Sequence, residues 1–327
     1  MKINKILICG FGSIGKKHFK IIKKNWPDIK ISLLRSSEDK KKIWTYENFD
    51  IHENFYDFKS ALSWSPEGVI LSNPASCHLD YGMFFAKNGI PLLIEKPIGT
   101  GNESEISWTL LNELSKSKYI QIGYVFRHEE GILYLKKILR KIGRIFEADF
   151  SCFSWLPDWR PSVNFLDSVS SKKELGGGVL LELSHELDIA NWLLGDYEVD
   201  FSHISNTNQF DINVEDQAFI HAFNNEGCSI TFRLNFCSKK IHRMICLQGV
   251  NGYIKLDLIN NNLEYKIKGK QIENIKYTKN IDLKYKMQLV NFFESIEKKL
   301  NPSCTVNDGL KVLKHIKKIK LTNNLRI

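Results

Sequence analysis

The chain has 327 residues, of which 43% are hydrophobic and 25% charged, with a formal net charge of +9. That length supports two cores, since a single core stops growing near ~250–300 residues, and no apolar run approaches the ~18–20 residues that span a bilayer. The positive charge lies mainly on lysines such as Lys16, Lys17, Lys20, Lys23 and Lys24. No nucleic-acid recognition motif accompanies it, so it reads as a solvated surface that also attracts anionic ligands.

The first ~125 residues alternate β-branched runs with helical patterns. Lys5–Cys9 is expected as strand, then a helix over Ile14–Asn25 and a strand over Lys30–Leu34. Glycines at 10 and 12 end the opening apolar run too early for a secretory leader. Further strands are expected at Val69–Ser72, Pro91–Glu95 and Tyr119–Tyr124, with helices over His78–Asn88 and Glu103–Ser117. Strands joined by helical crossovers make a doubly wound parallel sheet.

Beyond Tyr124 the rhythm changes. A helix over Glu130–Leu139 leads to a strand at Ile145–Ser154, a long loop to the glycine triplet, and a helix from Glu182 to Leu194. Strand-like segments follow at Asp200–Ser205, Gln217–Phe223, Ser229–Phe236, Arg243–Gln248 and Tyr253–Leu258, with helices over Lys284–Lys299 and Val306–Lys320. Consecutive strands with short turns indicate a mostly antiparallel or mixed open-faced sheet in an α+β domain. The expected division is therefore an α/β domain over 1–123 and an α+β domain over 124–327, the last helix (306–320) packing back on the first.

Seven scattered cysteines without Cys-x-x-Cys spacing argue against a disulfide framework or structural zinc and fit a reducing cytoplasm. No histidine stands at metal-ligand spacing with cysteine or carboxylate, so no metal is expected.

The strongest local signal is Gly10-Phe11-Gly12-Ser13-Ile14-Gly15 between a strand and a helix, the Rossmann dinucleotide fingerprint. Gly10 permits the turn, Gly12 lets backbone approach a diphosphate, and Gly15 allows close helix packing; Ser13 and Ile14 open the helix whose N-terminus attracts anions. At the end of the second strand, where a carboxylate would bind the ribose of NAD, stands Leu34-Arg35-Ser36-Ser37, followed by Glu38 and Asp39. Arg35 with Ser36 or Ser37 suits a 2′-phosphate, which favours NADP over NAD.

Two further passages are Ser72-Asn73-Pro74 with His78, then Glu95-Lys96-Pro97, and Gly176-Gly177-Gly178-Val179-Leu180-Leu181-Glu182-Leu183-Ser184-His185-Glu186-Leu187-Asp188. Together with the fingerprint they resemble the Gfo/Idh/MocA (glucose–fructose oxidoreductase / inositol dehydrogenase) family. The resemblance implies a nicotinamide-dependent oxidoreductase in which Lys96 lies beside the nicotinamide and contacts the reacting oxygen. It adds Asn73, Pro74, His78 and Glu95 to the cofactor-binding set, although His78 equally suits a helix start.

The resemblance also implies an acid and a histidine after the glycines, and here these are Glu182 and His185. The family usually spaces them four apart rather than three; on one helix, i and i+3 still share a face. His185 then moves the proton, having a pKa suited to neutrality, and Glu182 orients it or binds a substrate hydroxyl.

The Leu-Glu-Leu-Ser-His-Glu form, with Leu156-Pro157-Asp158-Trp159-Arg160-Pro161 before it, resembles a branch associated with surface polysaccharides and nucleotide-sugars. Trp159 offers a stacking face and Arg160 a fork for phosphate or carboxylate; a solvated loop is the alternative. Tyr124 and Arg127 either line the substrate cleft or hold the domain junction. The implied reaction is hydride transfer at a carbinol carbon of a sugar or nucleotide-sugar. The alternatives are a family enzyme that recycles bound cofactor internally and a non-catalytic cofactor-binding regulator. The resemblance further implies a homodimer or homotetramer formed through the C-terminal sheet.

Overall fold

A computed structural model describes residues 3–36, 49–161, 164–278 and 280–324. The chain divides into two compact units, Met1–Val125 with Ile281–Leu310, and Phe126–Asn280 with Lys311–Ile327.

The first unit carries β1 (Lys5–Cys9), α1 (Ser13–Asn25), β2 (Lys30–Leu34), β3 (Asn54–Phe55), α2 (Phe58–Ser63), β4 (Gly68–Leu71), α3 (His78–Lys87), β5 (Leu92–Glu95), α4 (Glu105–Ser115) and β6 (Ile120–Gly123). The sheet order is β3-β2-β1-β4-β5-β6, and every pairing is parallel. Strands β1, β2, β4, β5 and β6 bury every residue or all but one, because a parallel sheet covered on both faces tolerates no polar alternation. In α1 the buried residues Gly15, His18, Phe19, Ile21 and Ile22 form one stripe, and Lys23 and Lys24 complement the dipole in its last turn. The strand order reverses between β1 and β4, the topological position where open α/β sheets bind ligands.

The second unit carries α5 (Glu130–Ile138), β7 (Ile145–Trp155), α6 (Val179–Glu182), α7 (Ser184–Leu194), β8 (Tyr197–Ser205), β9 (Gln217–Asn224), β10 (Ser229–Asn235), β11 (Cys237–Gly249), β12 (Gly252–Asp257), β13 (Asn262–Ile267) and β14 (Glu273–Lys276). Its sheet order is β14-β13-β12-β11-β7-β10-β9-β8, antiparallel except for β10 beside β7. Alternation along β10 buries Ile230, Phe232 and Leu234. On the opposite face Arg233 spans to Asp149 of β7 at 3.0 Å, and Phe219 and Phe223 are 43% exposed.

Two helices end the chain, α8 (Ile281–Lys298) and α9 (Val306–Asn324). A single cut after residue 123 does not describe this arrangement. Leu289, Phe292 and Phe293 of α8 join Ile6, Ile22 and Ile31 in the core of the first unit. Gly309, at the start of α9, sits close to Ile98 and Ile122. The first unit is thus completed by a return of the chain, which local periodicity cannot reveal. Short β3 and α2, and the polar strands β13 and β14, were also not apparent as elements in the sequence. Among the described residues, no helix is long and apolar enough to cross a membrane.

Candidate active site

In the first unit the fingerprint glycines have separate tasks. Gly10 has φ +83°, and a Cβ there would lie 2.7 Å from the backbone of Asn73. A Cβ on Gly15 would meet the Gly10 carbonyl oxygen at 2.4 Å, so this glycine lets α1 close onto the turn. Gly12 has nothing within 4 Å of its hypothetical Cβ. It is the N-cap of α1, without a side-chain cap and with no acid in the first turn, so an anion can take up the helix's first N–H groups. Ser13 is exposed and Ile14 half-buried beside it.

Ser72 Oγ donates to the Gly10 carbonyl at 2.8 Å, tying the end of β4 to the turn. Next to it, both amide atoms of Asn73 are buried and have no hydrogen-bond partner among the described residues. A buried amide left unsatisfied costs about 1–3 kcal/mol, and a dinucleotide would satisfy it. The cradle therefore fits that group: an open Gly12, an uncapped helix end and an orphaned Asn73. Pro74 is half-buried beside them.

His78 is buried, with Nδ1 2.9 Å from the Pro97 carbonyl and Nε2 3.0 Å from the Asn73 carbonyl. Burial is the main cause holding its pKa below the ordinary histidine value. The ring lies between the carbonyls of the two loops that follow β4 and β5, and in its neutral form donates its one N–H to one of them. Glu95 is turned inward as well, accepting from His18 Nε2 at 2.7 Å, with both side chains buried. Its carboxylate lies against Gly123, where a Cβ would approach within 3.0 Å. Lys96 is half-buried at the end of β5 and precedes a cis peptide to Pro97. Arg35 is only 8% exposed, and its backbone N–H donates to the Phe55 carbonyl at 2.9 Å. Ser36 beside it is exposed, while Ser37, Glu38 and Asp39 lie outside the described residues. Tyr124 is 2% exposed, a packed aromatic rather than an open surface.

In the second unit the residues after β7 form four one-turn 3-10 segments, Leu156–Trp159, Phe165–Asp167, Val169–Ser171 and Lys173–Leu175. The glycine triplet then threads a narrow passage. A Cβ on Gly177 would lie 2.5 Å from the Val169 carbonyl, and one on Gly178, at φ +104°, would lie 2.6 Å from the Glu215 carboxylate. Leu156, Trp159, Arg160, Phe165, Ser168 and Ser170 line a cavity of ≈ 10 Å³, room for about one water. Trp159 meets Phe236 edge-on at 5.8 Å.

Glu182 and His185 do not lie on one continuous helix. Leu183, with φ −98° and ψ 25°, separates α6 from α7, so the expected shared helical face is replaced by a corner. Glu182 ends α6 and accepts from Ser170 Oγ at 3.0 Å. His185 is in the first turn of α7, 9% exposed, with its ring 4.7 Å from that of Phe126. Arg127 is 4% exposed and forks onto Asp188, Nε at 3.0 Å and Nη2 at 2.6 Å. Its guanidinium also lies 5.4 Å from the Trp192 ring. These contacts of Arg127, with Asp188 and Trp192, lie within the second unit. Glu186, beside His185, accepts from Arg243 Nε at 2.6 Å.

Comparison with known proteins finds a family model for each part of the chain. Residues 4–123 match the Gfo/Idh/MocA model described as an oxidoreductase family NAD-binding Rossmann fold, and residues 136–321 match its C-terminal alpha/beta domain. The chain belongs to the Gfo/Idh/MocA oxidoreductase family. A rhizopine catabolism protein, MocA, of Rhizobium meliloti is 30% identical over 138 residues, 41% of this chain and 40% of the relative. Inositol 2-dehydrogenase of Paracoccus denitrificans is 22% identical over 194 residues, 59% of this chain and 54% of the relative. The chain thus spans about half the length of these curated relatives. In fold it is similar to a levoglucosan dehydrogenase solved with NADH, with TM-score 0.84 and 16% identity over 98% of this chain and 97% of that one.

Within this Gfo/Idh/MocA chain, sequence did not single out His18, Phe126, Glu186 or Arg243, which the structure places against Glu95, His185 or one another. His18 gave a faint signal as a histidine on the apolar stripe of α1. The other three are brought together by tertiary structure alone.

Proposed function

We propose that this protein oxidises a secondary alcohol of a sugar-like substrate to a ketone, or runs the reverse reaction, with a nicotinamide dinucleotide. The observation that carries this reading is the cofactor cradle, in which Asn73 presents a buried, unsatisfied amide beside the open Gly12 turn. Family membership and the inositol 2-dehydrogenase relative support the substrate class. When bound, the nicotinamide supplies the hydride acceptor or donor.

The chain's own residues supply the rest. The Lys96 ammonium stabilises negative charge developing on the substrate oxygen. His185 takes the hydroxyl proton in oxidation and returns it in reduction. Glu182 accepts from a substrate hydroxyl, a role it now fills with Ser170. At a finer level, Arg35 and Ser36 favour NADP over NAD, and Arg160 with the net positive charge favours a phosphorylated or nucleotide-linked sugar. The cysteines, all free thiols, suit a reducing cytoplasm.

The test is a screen of polyols, free sugars and nucleotide-sugars, each with NAD and NADP, followed at the reduced-nicotinamide absorbance band. With the substrate so found, Lys96→Ala is expected to lower kcat on the order of 10²–10³-fold. Turnover unchanged in that variant would sink the mechanism. We also propose that the exposed sheet face bearing Phe219 and Phe223 pairs with a second copy. Light scattering should then show a dimer or tetramer, and Phe219→Glu with Phe223→Glu should shift it to monomer.

A further inference from the structure

Helix α7 presents consecutive residues to different partners. His185 packs on Phe126, and Glu186 turns to Arg243 of β11. The two arrangements converge, because the Arg243 guanidinium lies 3.8 Å over the same Phe126 ring. One aromatic ring thus carries an imidazole and a buried cation, and the cation's counter-ion is the next residue after the imidazole.

The ion pair is incompletely satisfied. Glu186 Oε2 and Arg243 Nη2 are both buried, and neither has a hydrogen-bond partner among the described residues. A buried pair in such geometry contributes little to stability and is often outdone by an apolar replacement. Burial of this kind concentrates where proton affinity matters.

We propose that Phe126, Arg243 and Glu186 are positioning residues for His185: the phenyl ring fixes the imidazole, and the balance of the Arg243 and Glu186 charges sets its protonation. This rests on His185 being the proton-transfer group proposed above. The other groups around it are accounted for as follows. Asp188, on its own helix, is neutralised by Arg127 of the 125–128 turn. His128 in that turn is neutral, its pKa lowered to about 4, mainly by burial. Cys152 of β7 stays a thiol because burial pushes it to about 12. Glu182 ends α6, and Glu129 acts on Arg243. Arg243 and Glu186 form the pair that shares the Phe126 ring with His185, and its two members can be altered separately.

Removing one charge exposes the other. Glu186→Gln leaves the Arg243 cation uncompensated and should lower the His185 pKa, whereas Arg243→Met leaves the Glu186 carboxylate and should raise it. Shifts on the order of one unit are expected, at the lower end for a nearby charge. The experiment follows the His185 ring by NMR titration in the full-length chain and measures kcat/KM against pH with the substrate found above. Arg243→Lys keeps the charge and guards against misfolding; it should titrate near wild type. Phe126→Leu should lower kcat with little change in KM, and Phe126→Tyr should restore it.

Opposite displacements of the ring titration, followed by the acid limb of kcat/KM, are the expected result. Displacements of one sign, or none, in folded variants overturn the proposal. Opposite displacements with an unmoved kcat/KM limb would uphold the positioning of the ring and overturn the assignment of His185 as the proton-transfer group.

Discussion

The cofactor cradle of the first unit and the His185 wall of the second are built by opposite means. The cradle is made of backbone: three glycines, one helix end and a serine and a histidine that tie loops by their carbonyls. The wall is made of long side chains paired far across the sequence, Arg127 with Asp188 and Arg243 with Glu186. A backbone site is sensitive to the volume of a single atom, whereas a site of buried pairs is sensitive to charge. Each is expected to fail in its own way.

The largest failure should come from the wall. Arg127→Met leaves the buried Asp188 carboxylate without its bidentate partner and should destabilise the protein by about 3–5 kcal/mol. Chemical denaturation measures this, and the double variant Arg127→Met with Asp188→Leu should recover part of the loss, since two apolar groups carry no unpaired charge. Lys136 lies 3.5 Å over the Trp192 ring that Arg127 also approaches and is repelled by Arg127, so its relief offsets a small part of this loss. A double variant no better than the single one would show that packing, not charge pairing, holds α7.

Acid should expose the same weakness. His315 of α9 is stacked on Tyr197 at 3.9 Å, and burial lowers its pKa to about 4. Asp196, 3.3 Å away, favours the charged form, but it is half exposed and solvent weakens its pull. The unfolded chain binds this proton near pH 6.5 and the folded chain only near 4. Stability is therefore present above about 6.5 and lost as pH falls towards 4, by on the order of 3 kcal/mol for this group. In His315→Gln the slope of stability against pH over that window should flatten.

The cradle should respond to size instead. Gly15→Ala places a methyl 2.4 Å from the Gly10 carbonyl, and overpacking of this kind costs about 1–3 kcal/mol. Gly12→Ala meets nothing within 4 Å, at an ordinary φ of −75°. It should melt as wild type yet bind dinucleotide about tenfold more weakly, a loss near 1.4 kcal/mol. Equal effects of the two on melting would break the distinction between a packing glycine and a ligand-facing one.

This contrast also explains what was legible beforehand. Strand β1 and the fingerprint turn are local: four apolar residues in a row after Lys5 and three glycines state both the fold and the ligand class. The place of Lys96 was legible, because the strand that it follows, β5, is a local apolar run. The wall was not. Glu186 and Arg243 are 57 residues apart, and nothing in the local pattern of either announces the other. The corner at Leu183 was hidden because Val179–Leu194 has continuous helical character, and tertiary packing at the glycine triplet decided where it breaks. The return of α8 to the first unit was invisible for the same reason: its amphipathic stripe says that it packs, not on what.

Arg35 tests the boundary between the two kinds of construction, since it is a long charged side chain within the backbone-built unit. Its main chain is fixed by the bond to Phe55 of β3, and the residue is largely buried. If it grips a 2′-phosphate as proposed, Arg35→Ala should lower the preference for NADP over NAD by about tenfold, the loss of one charge-assisted hydrogen bond of roughly 1.5 kcal/mol. The ratio of kcat/KM for the two cofactors reads this directly, and the absolute NAD value serves as control. A drop shared equally by both cofactors would instead make Arg35 a packing residue at the end of β2, and the first unit would then select its dinucleotide through the backbone alone.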